Sequence, residues 1–359
     1  MRCDTCRATF QLDSTGVGQI VNDNVAGLSG TELSSGAGQD VDTAEPDNQV
    51  YTFRCPSCGS DLVVQAVENL PTVKCHWCRN TLTWSDRINN GARPDGIVPF
   101  ALTREQAKAK MEGFLKRRRA FANRKFLRDY SLENIQPVYF PYFMVDVNAK
   151  SFHAGQGAHL VRKYSHGSGN DKTTYYDYDV YAFQRRFDLY VNDLLVPSNA
   201  AFAHQDAKLN TNNIINSVAP WQTSAAVPYS PQYLQGEYRA ERRTSNVGQL
   251  HGQVMNQVMD ISHVQANRTM PRYNHGIAYQ QDDLQVQGER WVTLLCPVWL
   301  YSYLEIKKGK PMLHYIAVNG TTGETMGSVP TNKALMLAVA GVAEVVGIVG
   351  AVIWLVLGG

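Results

Sequence analysis

The chain has 359 residues, with 34 Lys and Arg against 32 Asp and Glu, a net charge of +2, and 44% hydrophobic residues. Such a length accommodates two or more folding units with substantial cores, and the near-neutral balance excludes a chain that is basic or acidic throughout. Seven cysteines, with no apolar stretch of signal-peptide type at the start, do not fit a small disulfide-stapled secreted domain.

Cys3-Asp-Thr-Cys6 opens the chain as a candidate second metal half-site, and residues 1–13 form an orphan Cys-x-x-Cys knuckle. Residues 7–54 contain no Cys or His to complete it. Residues 1–50 carry eight acidic and two basic side chains, and 14–50 is rich in Gly, Ser, Asp and Asn. That composition predicts an acidic disordered linker.

Cys55-Pro-Ser-Cys58 and Cys75-His-Trp-Cys78 stand 16 residues apart. A two-residue spacer lets one tight turn present two sulfurs to the same ion, and a second turn completes a tetrahedral thiolate sphere, the preference of Zn²⁺. Gly59 follows the first pair where a knuckle needs a permissive backbone, while 61–64 and 81–84 alternate as short strands. The expectation is a zinc ribbon over 51–90 with Cys55, Cys58, Cys75 and Cys78 as ligands, His76 exposed beside them, and Zn²⁺ as a structural cofactor. Four protein ligands leave no position for water or substrate.

Residues 96–330 read as one α+β domain. Thr103 and Gln106 form a capping-box pair, after which Ala107, Met111, Phe114 and Leu115 share a helix face. Between Arg104 and Arg128 lie ten Lys or Arg and two acids. Lys116, Arg117, Arg118, Arg119, Arg124 and Lys125 are candidate contacts for phosphate or lipid headgroups, against the plainer reading of a solvated face. Val138 to Val147 and Thr173 to Val191 read as strands, joined by a polar connection over 151–172. There His153, His159 and His166, spaced by six and seven, fit no usual metal-ligand pattern and are expected at the surface. Val247, Leu250, Val254, Val258 and Ile261 predict a helix reaching about Gln265, and Val292 to Ile306 with Pro311 to Val318 predict a β-hairpin. Hairpin connections suggest an antiparallel sheet. Cys296 reads as a buried, inert thiol.

Residues 334–357 run 24 residues with one charge, about 36 Å as a helix, enough for a hydrocarbon core of about 30 Å. This predicts a single C-terminal transmembrane helix, with Lys333 on the cytoplasmic side. Glu344 within it calls for a proton or a partner, and Gly347 and Ala351 offer a small-residue face for helix association.

Gly-Ile-Val-Pro-Phe at 96–100, Val-Tyr-Phe-Pro-Tyr-Phe at 138–143, Tyr-Leu-Gln-Gly at 233–236, Leu-Cys-Pro-Val-Trp-Leu at 295–300 and Val-Asn-Gly-Thr-Thr-Gly-Glu at 318–324 occur in an order that resembles bacterial membrane proteins with TFIIB-type zinc ribbons. The resemblance spans roughly residues 51–333. Members are often labelled as similar to the primosomal helicase PriA. The chain departs from them in its extra N-terminal Cys pair, its acidic insertion and its single terminal span. A helicase motor needs a Gly-x-x-x-x-Gly-Lys-Ser/Thr loop, and none occurs: Gly309-Lys310 is followed by Pro311. Hydrolase, zincin and dinucleotide motifs are absent too.

The resulting expectation is a non-enzymatic, tail-anchored zinc-ribbon protein of the bacterial cytoplasmic (inner) membrane, its large part facing the cytoplasm. It would act as an adaptor or assembly factor through a protein partner or self-association, with nucleic-acid binding by the ribbon and helix 104–128 as the alternative.

Overall fold

The computed structural model of the protein describes residues 20–21, 24–44, 48–67, 72–167, 169–199, 218–307 and 310–357. In chain order its strands are β1 (Gly30–Leu33), β2 (Val50–Arg54), β3 (Asp61–Gln65), β4 (Val73–Lys74), β5 (Thr81–Leu82), β6 (Arg87–Ile88), β7 (Gly96–Ile97), β8 (Ile135–His166), β9 (Thr173–Pro197), β10 (Val227–Pro228), β11 (Arg239–Glu241), β12 (Ile277–Lys307), β13 (Lys310–Asn319) and β14 (Thr325–Gly327). Its α-helices are α1 (Ser35–Gly38), α2 (Arg104–Lys116), α3 (Arg124–Asp129), α4 (Val247–Arg268) and α5 (Lys333–Leu357).

Twelve strands form one sheet, and β4 pairs with β5 apart from it. β8 is its axis, antiparallel to β12 from Ile135↔Tyr301 to Gly157↔Ile277 and to β9 from Tyr142↔Pro197 to His166↔Thr173. The expected antiparallel α+β domain is therefore corrected to a large mixed sheet with few helices. β1 and β7 run parallel to β12, and β11 runs parallel to β8. The physical reason is edge coverage. Beside β8, β12 is paired in succession by β13 at 298–307, β7 at 294–295 and β1 at 288–291, so short segments of either direction satisfy backbone groups that burial would otherwise leave unpaired.

Strand alternation divides the core. Val138, Phe140, Tyr142 and Met144 of β8, with Val292, Leu294, Cys296 and Val298 of β12, pack with Phe53, Leu62, Val73 and Trp77 of the cysteine-bearing segment. The odd positions Phe143, Val145, Val147 and Ala149, with Trp291, pack against Leu250, Val254 and Val258 of α4. α2 contributes Ala107, Met111 and Leu115 to a further cluster with Ile135, Trp299 and Tyr301. Its start has the expected capping box: Gln106 donates its N–H to Thr103 Oγ1 and Thr103 donates its N–H to Gln106 Oε1.

Three further expectations change. Within 14–50, the described residues include structured parts: Gly30–Leu33 pairs with 288–291, and Val25, Leu28 and Ala37 are buried. Residues 151–166, read as a polar connection, extend β8, because β9 pairs along them to His166 and β12 flanks their other side as far as Gly157.

The third concerns the C-terminus. Among the described residues no helix is long and apolar enough to cross a membrane. The single-span, tail-anchor, membrane-partner and inner-membrane expectations are corrected accordingly. Glu344 and Gly347 lie on an exposed stretch of α5, no atom lies within 4 Å of a Cβ built on Gly347, and Ala351 falls in the same helix.

Candidate metal centre

Two knuckles of the same backbone design bring the four cysteines together. In the first, Cys55 receives Gly59 N–H at its carbonyl and donates its own N–H to Ser60 O; in the second, Cys75 receives Arg79 N–H and donates to Asn80 O. The residue after each second cysteine takes a left-handed backbone, Gly59 at φ +78° and Arg79 at φ +61°. Glycine meets that need without strain. Arg79 does not, and tertiary contacts hold it there: its guanidinium bonds to Asp129 Oδ2 at 2.6 Å and to the Ser302 carbonyl, and lies 5.3 Å from the Tyr301 ring centroid.

The four sulfurs lie within 4.8 Å of one another. Cys55 and Cys78 Sγ are 3.4 Å apart, and Cys58 and Cys75 Sγ are 3.5 Å apart. A tetrahedral ion with metal–sulfur bonds of about 2.3 Å needs sulfur separations of about 3.8 Å, so a shift of a few tenths of an ångström seats a metal ion. Cys55 and Cys75 are buried and Cys58 is exposed. As thiols the groups share protons: a hydrogen bond with Cys75 holds Cys58 down to about 5, while that bond and burial push Cys75 well above the thiol range. A metal that takes all four as thiolates releases those protons.

The second knuckle is seated by a buried carboxylate. Glu241, 3% exposed on β11, accepts from His76 Nε2 at 2.9 Å and from the Trp77 indole N–H through Oε1, and from Asn199 Nδ2 at 2.8 Å through Oε2. His76 is thus 1% exposed, a correction to its expected exposure. Glu241 takes its Nε2, and among the described residues the metal-spaced group holds the four cysteines without His76. The Trp77 ring packs edge-on to Phe140 and Tyr315. β11 also joins β3 to β8, so the hairpin that carries Cys55 and Cys58 is continuous with the main sheet.

The other predicted residues are dispersed. Cys3 and Cys6 lie outside the described residues. Lys116 ends α2, Arg117, Arg118 and Arg119 follow it, and Arg124 and Lys125 open α3; all six are exposed. Arg118 is folded back, 3.8 Å from the Phe114 ring centroid and bonded to its carbonyl. Cys296 is buried beneath the knuckles, and burial pushes its thiol well above the ordinary range. Of the three loop histidines, His159 and His166 are exposed as expected, but His153 is fully buried on the α4 face. Glu241 and His153 are the functional candidates that sequence reasoning missed, since the pairings with His76 and with Asp282 join segments more than a hundred residues apart. No family model, curated protein or solved structure matches the chain.

Proposed function

We propose that Cys55, Cys58, Cys75 and Cys78 hold a structural zinc ion and that the protein acts by binding another protein, not by catalysis at the cysteines. Zinc is the metal whose preferences best suit four thiolates at these separations. A sphere closed by four protein ligands leaves nothing for a substrate to coordinate.

The observation that carries the binding role is the outer half of the β8–β9 pair. Beyond Gly157, β8 has no β12 partner and continues with β9 alone. Tyr164, Tyr175, Tyr176 and Tyr178 on this outer stretch, and Tyr181 at its start, are each 37% to 52% exposed. Tyrosine supplies large contact area with little conformational entropy to lose, and protein interfaces are enriched in it. A run of exposed tyrosines on a two-stranded ribbon supports a protein partner over a small ligand. The motif order that resembles TFIIB-type zinc-ribbon proteins agrees with a metal-held scaffold.

A photo-crosslinking residue at position 178 tests the role. One discrete crosslinked protein is expected, and Tyr175→Ser with Tyr176→Ser should lose it while zinc is retained. Retention of the same complex by that variant would refute the arm as the contact surface.

The second reading is nucleic-acid binding by the exposed cations at 116–119 and 124–125. It predicts an affinity that falls steeply with salt and weakens on charge reversal at Arg117 and Arg119.

A further inference from the structure

On the sheet face opposite the cysteines, two imidazoles and a carboxylate converge. Asp282 on β12 is the direct cross-strand partner of His153 on β8, and His263 of α4 closes over them. His153 Nδ1 lies 2.7 Å from Asp282 Oδ1, and His263 Nε2 lies 3.1 Å from Asp282 Oδ2. All three donor atoms fall within 4.8 Å of one another.

We propose that His153, His263 and Asp282 form a second metal site, for a divalent transition metal of the zinc class, with one coordination position left open. Two neutral imidazoles and a carboxylate are a donor set that Zn²⁺ accepts, and bonds of about 2.0 to 2.1 Å put tetrahedral ligand atoms about 3.3 Å apart. The two histidine–carboxylate separations, 2.7 and 3.1 Å, open by about 0.6 and 0.2 Å to reach that spacing.

The surroundings fit a built site. His153 Nε2 meets Ser262 Oγ at 2.7 Å and Ser151 Oγ at 2.8 Å, and both serines are buried. When a metal replaces the proton that Nδ1 otherwise donates to Asp282, Nε2–H can donate to these hydroxyls, the outer-partner arrangement that ligating histidines commonly have. His263 Nε2 is enclosed and makes no well-angled hydrogen bond. Tyr279 stacks on His263 at 4.2 Å and meets His153 edge-on at 5.5 Å, walling the site with an apolar surface. His263 and Asp282 side chains are 26% and 29% exposed, so solvent reaches that side of the cluster.

The strand is bent to make this arrangement. Register shifts in β12 fall between Val286 and Gly288 and between Tyr279 and Gln281. The first turns Leu284 and Asp282 onto the α4 face; the second lets Tyr279 join them there. In an unbroken strand, residues three apart face opposite sides. Bulges of this kind re-aim side chains and recur beside functional sites.

Ser262, His153 and Asp282 also follow the order of a hydrolase triad, but Ser262 and His153 are 0% exposed. No acyl substrate reaches Oγ, so the hydroxyls are positioning groups. The inference goes beyond the adaptor reading, and its test is independent of it.

Zinc counting and titration with Zn²⁺ alone, on the full chain, decide the matter. Wild type is expected to bind two equivalents, His263→Ala and Asp282→Asn one each, with the remaining equivalent lost on Cys75→Ser. Co²⁺ substitution should show thiolate charge-transfer bands in all but the cysteine variant, which also verifies that the ligand variants fold. Asp282→Asn keeps the side chain's shape if His263→Ala is unstable. Equal zinc stoichiometry and affinity in wild type and both ligand variants would overturn the site.

Discussion

Glu241 Oε1 accepts the indole N–H of Trp77, a residue 164 positions earlier, and the same carboxylate takes His76 and Asn199. This bond seats the second knuckle on the sheet. Removing the acceptor leaves several buried donors unsatisfied, and breaking a buried charged network by deleting one member costs about 3 to 5 kcal/mol. Glu241→Ala is expected to lose that much stability in urea unfolding followed by Trp fluorescence, and Glu241→Gln, which keeps Oε1, clearly less. A loss below about 1 kcal/mol for Glu241→Ala would mean the knuckle is held by its apolar contacts alone.

Gly59 has φ +78°, and a Cβ built there meets nothing within 4 Å. The cost of Gly59→Ala is therefore conformational alone, about 1 kcal/mol, with metal stoichiometry unchanged. Thermal unfolding with metal counting checks both; a variant that loses metal would show that the turn geometry is tighter than its free space implies.

Thr103→Ala removes one half of the reciprocal cap on α2. About 1 kcal/mol of stability should go with it. Because α2 packs Met111 and Leu115 into the core, Met111→Ala should be worse, about 2 to 5 kcal/mol. The reverse ranking in denaturant melts would contradict the packing described for α2.

Asp40 is held below its ordinary value of 3.8, chiefly by the Asp42 N–H, with Thr43 and Asn246 also donating. A carboxylate depressed in the folded state contributes stability that is present above its unfolded value and is lost as pH falls through the folded one. Asn246 meanwhile accepts the Val41 N–H at 3.0 Å. Acidification from pH 5 to 3 should therefore lower the protection factor of the Val41 amide, its exchange rate being referred to the intrinsic rate at each pH, and Asp40→Asn should flatten that dependence. An identical pH profile in the variant would rule Asp40 out as its source.

The reach of the sequence differs between the two clusters. Cys55, Cys58, Cys75 and Cys78 were readable because each ligand pair sits within one turn, so spacing alone dictates which atoms can meet. The His153 cluster left no such trace. The polar interruption at Ser262 in the α4 stripe of Val254, Val258, Ser262 and Ala266 was its one local signal, and a buried serine in a helix has many causes.

By itself the sequence determined the knuckles, the cap at Thr103, the α4 periodicity and the hairpin of β12 with β13, all consequences of contacts a few residues apart. Tertiary structure alone decided that the cysteine-bearing hairpin is continuous with a mixed sheet, that His76 is buried on Glu241, and that His153 meets Asp282 and His263. Those outcomes depend on strand register and on two bulges in β12. Pairing between distant segments is chosen by burial of whole faces, and residue spacing carries no record of it.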